Sequence, residues 1–241
     1  MPVDQTLVEQ FQRDGFAHVR GLLTKEEAAM YRAECHALAE RLSARHSIDA
    51  TWASSKEAAM GQATQLLHCH DVQFYSAPFS RLIVDPRMTD YAAAFIGSEN
   101  VELHHTKMFI KPPEKGSAFP MHQDKPFFPF AKDTMIAVIF HFDDAPLEKG
   151  CLRVMPGTHR SDLEHDPEGA WHLPHDQYPV DQALPIPAEA GDAIFFSYRT
   201  VHGSGLNTSD EARTTLLVQM RDPSDWPTLK THESRGQGMI L

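Results

Sequence analysis

The chain has 241 residues, with 22 Lys and Arg against 33 Asp and Glu, a formal net charge of -11. So acidic a sequence offers no general cationic face, which excludes nucleic acid and an anionic membrane surface as expected partners. No run approaches the ~20 apolar residues of a membrane span, and no signal-peptide core opens the chain, so a soluble, intracellular protein is expected.

The length suits one domain over residues 1–241, with a helical part to about 100 and a strand-rich core from about 101 to 221. Cys35, Cys69 and Cys151 stand far apart without metal spacing, which fits the reduced thiols of a cytoplasmic protein. In chain order, Leu7, Val8 and Phe11 recur at helical spacing before Asp14-Gly15, where glycine can end a helix in the left-handed conformation. Phe16-Ala17-His18-Val19 reads as a brief strand. Thr24-Lys25-Glu26-Glu27 is a capping box, and Tyr31, Cys35, Leu38 and Leu42 mark the buried face of the helix it opens, to about Arg45.

Residues 47–65 have weak periodicity and are expected to be irregular, covering the mouth of a site. Leu66-Leu67-His68-Cys69-His70-Asp71-Val72 concentrates possible ligands without the spacing of a zinc motif, and ordinary polar or buried histidines are expected there. Residues 80–96 predict helix interrupted at Pro86 and stopped by Gly97.

From residue 101 the texture becomes that of strands. Residues 101–111 read as a strand that, if regular, sets Leu103, His105, Lys107 and Phe109 on one face. Residues 135–142 form an apolar run suited to a strand buried on both sides. Further strands are expected at 151–155, 193–196 and 214–220, with a long polar stretch at 158–187 that is functional or mobile. Many short strands behind a helical third predict a mainly β fold with flanking α-helices, a jelly-roll sandwich or barrel.

The candidate chemistry centres on Phe119-Pro120-Met121-His122-Gln123-Asp124. A strand's period of two would put His122 and Asp124 on one face. His202, in Val201-His202-Gly203-Ser204-Gly205, is the best second imidazole. Two histidines and one carboxylate on one face of an octahedral ion leave positions open, the arrangement of non-haem Fe(II) oxygenases. His-x-Asp is common in a chain with 15 histidines, and His141-Phe142-Asp143 is a second copy of it. Arg213, opening the last clear strand, supplies a fork matched to a carboxylate, and hairpin-linked strands would bring it near the metal. Such an oxygenase needs an electron donor that chelates metal at one end and is anchored by charge at the other. 2-Oxoglutarate is such a molecule, and the Ser204 hydroxyl could reach the same carboxylate.

Taken in order, these stretches resemble the phytanoyl-CoA dioxygenase family. They are Phe11-Gln12-Arg13-Asp14-Gly15-Phe16 with Gly21-Leu22-Leu23, then Met121-His122-Gln123-Asp124, then Lys149-Gly150-Cys151-Leu152-Arg153-Val154-Met155-Pro156-Gly157-Thr158-His159, then Gly191-Asp192-Ala193-Ile194-Phe195-Phe196 leading to His202-Gly203-Ser204-Gly205 and Arg213. Lys149 and Thr158 replace the family's usual Asn and Ser at turns. The resemblance implies a cupin-like double-stranded β-helix, iron held by His122, Asp124 and His202, and 2-oxoglutarate held by Arg213 with Ser204, with Lys107 a further co-substrate contact. It implies Fe(II), 2-oxoglutarate and O2 as the reagents, and oxidation of a C–H bond in a small molecule with release of succinate and CO2. Related halogenases lack the carboxylate, so Asp124 favours hydroxylation over chlorination. His141 and Asp143 then fall at a strand end before a family turn, and His159 is expected to organise its own turn.

Phe127, Phe128 and Phe130 could wall an apolar pocket or simply pack the core, and Trp171 could join them. Lys125, Lys132, Arg153 and Arg160 leave room for a local anion site. Two rival readings use the same residues: a cupin-like dioxygenase or isomerase that does not use 2-oxoglutarate, and a non-catalytic binding module on the same barrel.

Overall fold

A computed structural model describes residues 2–43, 49–50, 64–166, 172–229 and 238–241. The first helix, α1 (Gln5–Asp14), begins where the Asp4 side chain accepts from the Thr6 N–H, and ends at Gly15 with φ 81°. Strand β1 (Phe16–Val19) follows. In the expected capping box, Thr24 N–H donates to Glu27 Oε2 at 2.8 Å and Glu27 N–H to Thr24 Oγ1 at 3.1 Å, opening α2 (Lys25–Ser43). Most of the 47–65 stretch lies outside the described residues, as does Trp171; within the stretch, Asp49–Ala50 forms the short strand β2. Strand β3 (Leu66–His70) comes next, and Pro86 separates two helices, α3 (Ala77–Leu82) and α4 (Pro86–Ile96), the second stopped by Gly97.

The remaining strands are β4 (Glu102–Lys111), β5 (Phe119–His122), β6 (Ile136–His141), β7 (Leu152–Met155), β8 (Leu184–Ile186), β9 (Ala193–Ser197), β10 (Val201–Ser204), β11 (Arg213–Arg221) and β12 (Met239–Ile240). They form two sheets. The larger has the order β1-β9-β6-β11-β4-β3-β2, with β12 also pairing β4; the smaller is β5-β10-β7-β8. Among the described residues every strand ladder is antiparallel, and from β4 to β7 the chain alternates between the sheets, as it does again from β8 to β11, which winds the cupin-like jelly roll.

The alternation of each strand in the larger sheet separates two cores. Leu216 and Val218 of β11, Val138 and Phe140 of β6 and Met108 and Ile110 of β4 face the helices, where Tyr31, Leu38, Phe79 and Phe95 cover them. Ile139, Leu217, Ile194 and Phe196 face the smaller sheet and meet Leu152, Val154 and Ile186. β11 is therefore buried along almost its whole length. The β4 strand is not regular: a shift opposite Gln219 and Met220 takes His104 out of step, so Leu103 joins the helix-side core while His105 faces inward. The expected shared face of Leu103 and His105 fails for that reason.

Candidate active site

Between the sheets lies a cavity of about 270 Å³, lined from one sheet by His105, Lys107, Phe109, His141, Arg213 and Gln219 and from the other by Phe119, His122, His202 and Ser204. His122 and His202 face each other as a pair across β5 and β10. Asp124 reaches them differently from the sequence expectation. The strand ends at His122, and Asp124, with φ -76° and ψ -27°, opens a one-turn 3-10 helix over Lys125–Phe127. Its N–H donates to the Tyr198 carbonyl at 2.8 Å, which fixes the turn and returns the carboxylate beside the imidazoles.

Asp124 Oδ1 lies 3.4 Å from His122 Nε2 and 3.7 Å from His202 Nε2, and one ligand atom from each of the three residues falls within 4.8 Å of the others. His122 Nδ1 lies 2.8 Å from the Pro120 carbonyl and His202 Nδ1 2.9 Å from the Thr200 carbonyl. A carbonyl only accepts, so each Nδ1 carries the proton and each Nε2 presents its lone pair to the shared point. Burial, reinforced by His122, pushes His202 down to about 4, which keeps it neutral. Burial works against the Asp124 charge, but as pH falls through the His202 titration the imidazolium formed there favours the carboxylate, and the carboxyl is held below its ordinary value. Gln219 Nε2 donates to Asp124 Oδ2 at 2.7 Å, leaving Oδ1 to the cluster. Two imidazoles that can offer Nε2 beside an ionised carboxylate make a donor set that fits a divalent transition metal.

The long polar stretch turns out to brace this cluster. Gln123 Nε2 donates to the carbonyls of Ser161, at 2.8 Å, and Arg199, its Oε1 accepts from Leu163 N–H at 3.0 Å, and its own N–H meets His165 Nε2 at 2.9 Å. Leu173 and Ala183 pack on Met121 and Val201, behind the two histidines.

The closed end of the cavity is cationic. β10 and β11 belong to different sheets, so Arg213 arrives from across the cavity rather than along a hairpin. It is buried, its Nη1 donates to the Gly150 carbonyl, and its Nε has no hydrogen-bond partner among the described residues. Gly150 has φ 64°, and a Cβ there would sit 2.4 Å from the Gly205 carbonyl, so only glycine lets these two segments cross beneath the site. Burial lowers the Arg213 guanidinium to about 10, still charged at neutral pH. Burial and the Arg213 charge push the neighbouring His141 down to about 3.

The sequence model of the family described as phytanoyl-CoA dioxygenase matches residues 11–215. The chain belongs to the phytanoyl-CoA dioxygenase family. Among curated members, peroxisomal phytanoyl-CoA dioxygenase of Rattus norvegicus is 27% identical over 227 residues, covering 86% of this chain and 64% of the relative. The ectoine dioxygenase of Streptomyces anulatus is 27% identical over 247 residues, covering 90% and 77%. This chain thus spans less than two thirds of the rat relative's length. Among solved structures, the epimerase SnoN in complex with Fe3+, alpha ketoglutarate and nogalamycin RO is 29% identical with a TM-score of 0.74, covering 92% of this chain and 85% of that one. The carbocyclase SnoK, 20% identical, superposes with a TM-score of 0.80 over 99% and 94% and speaks for the fold.

Within this family member the other sequence candidates scatter. Lys107 lines the cavity toward its mouth, with Nζ 5.1 Å from the Phe109 ring centre. Phe127 and Phe128 also line it, whereas Phe130 packs into a core with Met135 and Tyr198. His141 faces the cavity, but Asp143 turns away to accept from Arg32 Nε and, at 2.9 Å, from Thr214 N–H. The four basic residues form no common anion site. Lys125 is engaged by Asp133 and Asp162, Lys132 by Ser224, and Arg153 and Arg160 by backbone carbonyls of Ala183 and Arg13. Gln219 and Lys111 escaped the sequence reading. Counting by two from Arg213 would have placed Gln219 on the cavity face, but its partner across the fold was not visible.

Proposed function

We propose that this chain is an Fe(II)- and 2-oxoglutarate-dependent dioxygenase that hydroxylates, or otherwise oxidises, an unactivated C–H bond of a small organic molecule. When bound, ferrous iron and 2-oxoglutarate supply O2-dependent oxidation: one oxygen atom enters succinate, CO2 leaves, and the other oxygen enters the product in a hydroxylation. The observation that carries the reading is the meeting, in one cavity, of three ligand atoms within 4.8 Å and a buried arginine.

His122, Asp124 and His202 would hold the metal, with the backbone carbonyls and Gln219 fixing their orientation. Arg213 is proposed to seat the distal carboxylate of 2-oxoglutarate, Ser204 to donate to the same group, and Lys107 to meet an anionic oxygen nearer the mouth. The gradient of burial supports this order. Arg213, His141 and Thr215 are buried, while His70, Phe109, Phe119 and Phe127 toward the mouth are partly or fully exposed. The aromatic mouth would take the organic substrate and exclude water from the reacting bond. The neighbour named an epimerase supports an outcome wider than hydroxylation. The single family match from 11 to 215 supports one catalytic domain, and the buried free Cys35, Cys69 and Cys151 support a reducing compartment, for which the cytoplasm is proposed. Among the described residues no helix is long and apolar enough to cross a membrane.

The test is the anaerobic absorption band of Fe(II) with 2-oxoglutarate, followed by substrate-dependent succinate release across candidate compounds. The band should appear with the wild type and vanish with His122→Ala. Fe(II) binding without 2-oxoglutarate binding, together with indifference to Arg213→Ala, would instead favour a cupin-like enzyme that does not use 2-oxoglutarate.

A further inference from the structure

Arg213 is not the only basic side chain at the closed end. In the register of β4 and β11, Lys111 stands directly opposite Arg213, whereas Lys107 is opposite Leu217. Four residues of strand separate the two lysines, about 13 Å along β4. Lys111 is fully buried, yet among the described residues no carboxylate partners it: its Nζ donates to Ser204 Oγ at 2.7 Å and to the Gly205 carbonyl at 2.6 Å, and lies 5.3 Å from the Phe119 ring centre. Burying an ammonium without a counter-ion is costly, and a second cation beside it makes the cost larger. A retained pair of this kind points to an anion that completes it.

We infer that Lys111 is a positioning residue for the co-substrate: by donating to Ser204 Oγ it turns the Ser204 hydroxyl proton outward, toward the distal carboxylate seated on Arg213. The inference rests on the 2-oxoglutarate reading above and deepens it. A serine oxygen that already accepts from an ammonium donates its own proton elsewhere, and Ser204 lines the cavity on the side where Arg213 also opens. The Arg213 Nε, without a partner among the described residues, is a second donor at that end. Burial, then Arg213, pushes the Lys111 ammonium well below its ordinary value, and a carboxylate arriving beside the pair would favour the charged form. The assignment also explains why Gly205 is tied down: its carbonyl receives Lys111 while Gly150 packs against it.

The test uses ligands that differ only at the far end. 2-Oxoglutarate and 2-oxopentanoate share the chelating 2-oxo acid, but only the first carries a distal carboxylate. Their dissociation constants are measured from the anaerobic Fe(II) absorption band in wild type, Lys111→Gln, Lys111→Met, Ser204→Ala and the Lys111→Gln/Ser204→Ala pair, with Fe(II) affinity and thermal unfolding recorded for each. Lys111→Gln and Lys111→Met should weaken 2-oxoglutarate about 10-fold or more while changing 2-oxopentanoate less than about twofold. The double variant should be little weaker than Ser204→Ala alone, because both changes remove one device. Equal loss for both ligands, no loss for either, or effects of the two changes that multiply would overturn the role of Lys111. Should Lys111→Met not fold, Lys111→Gln and Ser204→Ala carry the same comparison. Failure of the wild type to form the band at all is a different result, and refutes the 2-oxoglutarate reading itself.

Discussion

The two oxygens of Asp124 have different tasks, and the difference fixes what Gln219 is for. Oδ1 faces both Nε2 atoms, and Oδ2 is held by Gln219 Nε2 at 2.7 Å. Gln219 is buried on a strand of the opposite sheet and hydrogen-bonds Asp124, so its effect on a metal passes through the carboxylate. Replacing Gln219 by Leu keeps the volume and removes the donor. We expect Fe(II) affinity to fall about 10–100-fold in an anaerobic titration, with thermal stability of the metal-free protein little changed. An unchanged affinity would mean that the Tyr198 carbonyl and the 3-10 turn suffice to aim Asp124. At this scale the sequence made the three candidate ligands legible, because their residue types and motif company are local. It misplaced the reason for His122 and Asp124, since a strand's period cannot reveal that the strand stops at His122. Lys111 and Gln219 were hidden because each acts on a residue more than 90 positions away.

Elements are joined to the jelly roll by buried polar contacts, and the Gly191-Asp192 turn supplies one that titrates. Asp192 is 4% exposed; its carboxylate meets His18 Nε2 at 2.8 Å and accepts from Gly21 N–H at 2.8 Å and Glu189 N–H at 3.0 Å, tying β1 and the segment after it to the entrance of β9. Burial raises its proton affinity, but the hydrogen bonds outweigh that and hold the carboxyl down at about 2. A carboxyl lowered by nearly two units on folding adds about 2 kcal/mol of stability, present above about pH 4 and lost as pH falls toward 2. Asp192→Asn should therefore destabilise by about 2 kcal/mol in urea unfolding at pH 7, and the gap to wild type should shrink to about half by pH 3. A gap independent of pH would assign the cost to geometry alone. At the next joint, Gly15 has φ 81° and a Cβ there would lie 2.4 Å from His159 Nδ1 and 2.6 Å from Thr200 Oγ1. Gly15→Ala should lower the melting temperature by several degrees, from the left-handed backbone and the contact together. His159→Ala in the same chain should restore only part of it, because the backbone strain stays. The helix that Gly15 ends, the capping box and the break at Pro86 were all legible, being set by neighbours in sequence. The shift in β4 was not, since it exists only as a mismatch with β11.

Across the whole molecule, the proposed metal and co-substrate would bridge the two sheets. His122 and His202 belong to the smaller sheet, whereas Lys111, Arg213 and Gln219 belong to the larger, and Asp124 leaves the first to be held by the second. Although the chain carries a net charge of -11, the end of the cavity beyond the ligand cluster holds two buried basic side chains opposite each other on one strand pair, where burial and then the Arg213 charge work against the Lys111 ammonium. Neutralising that end and filling the cluster should therefore stabilise the junction of the sheets more than the helical layer outside. At about 100 times its dissociation constant a ligand adds about 2.7 kcal/mol, which for a chain of this size raises the melting temperature by about 5–10 °C. We expect Fe(II) or a redox-inert divalent surrogate to give one such increment and 2-oxoglutarate a second that requires the metal. Arg213→Met should keep the first increment and lose the second, and His122→Ala should lose both. Amide exchange should slow most in β5, β10 and residues 213–219, with smaller changes in α1 and α4, which cover the far side of the larger sheet. Equal slowing across the helices and both sheets would show that the ligands stabilise the molecule without acting at the junction, and a full 2-oxoglutarate increment in Arg213→Met would place the distal carboxylate away from the cationic end.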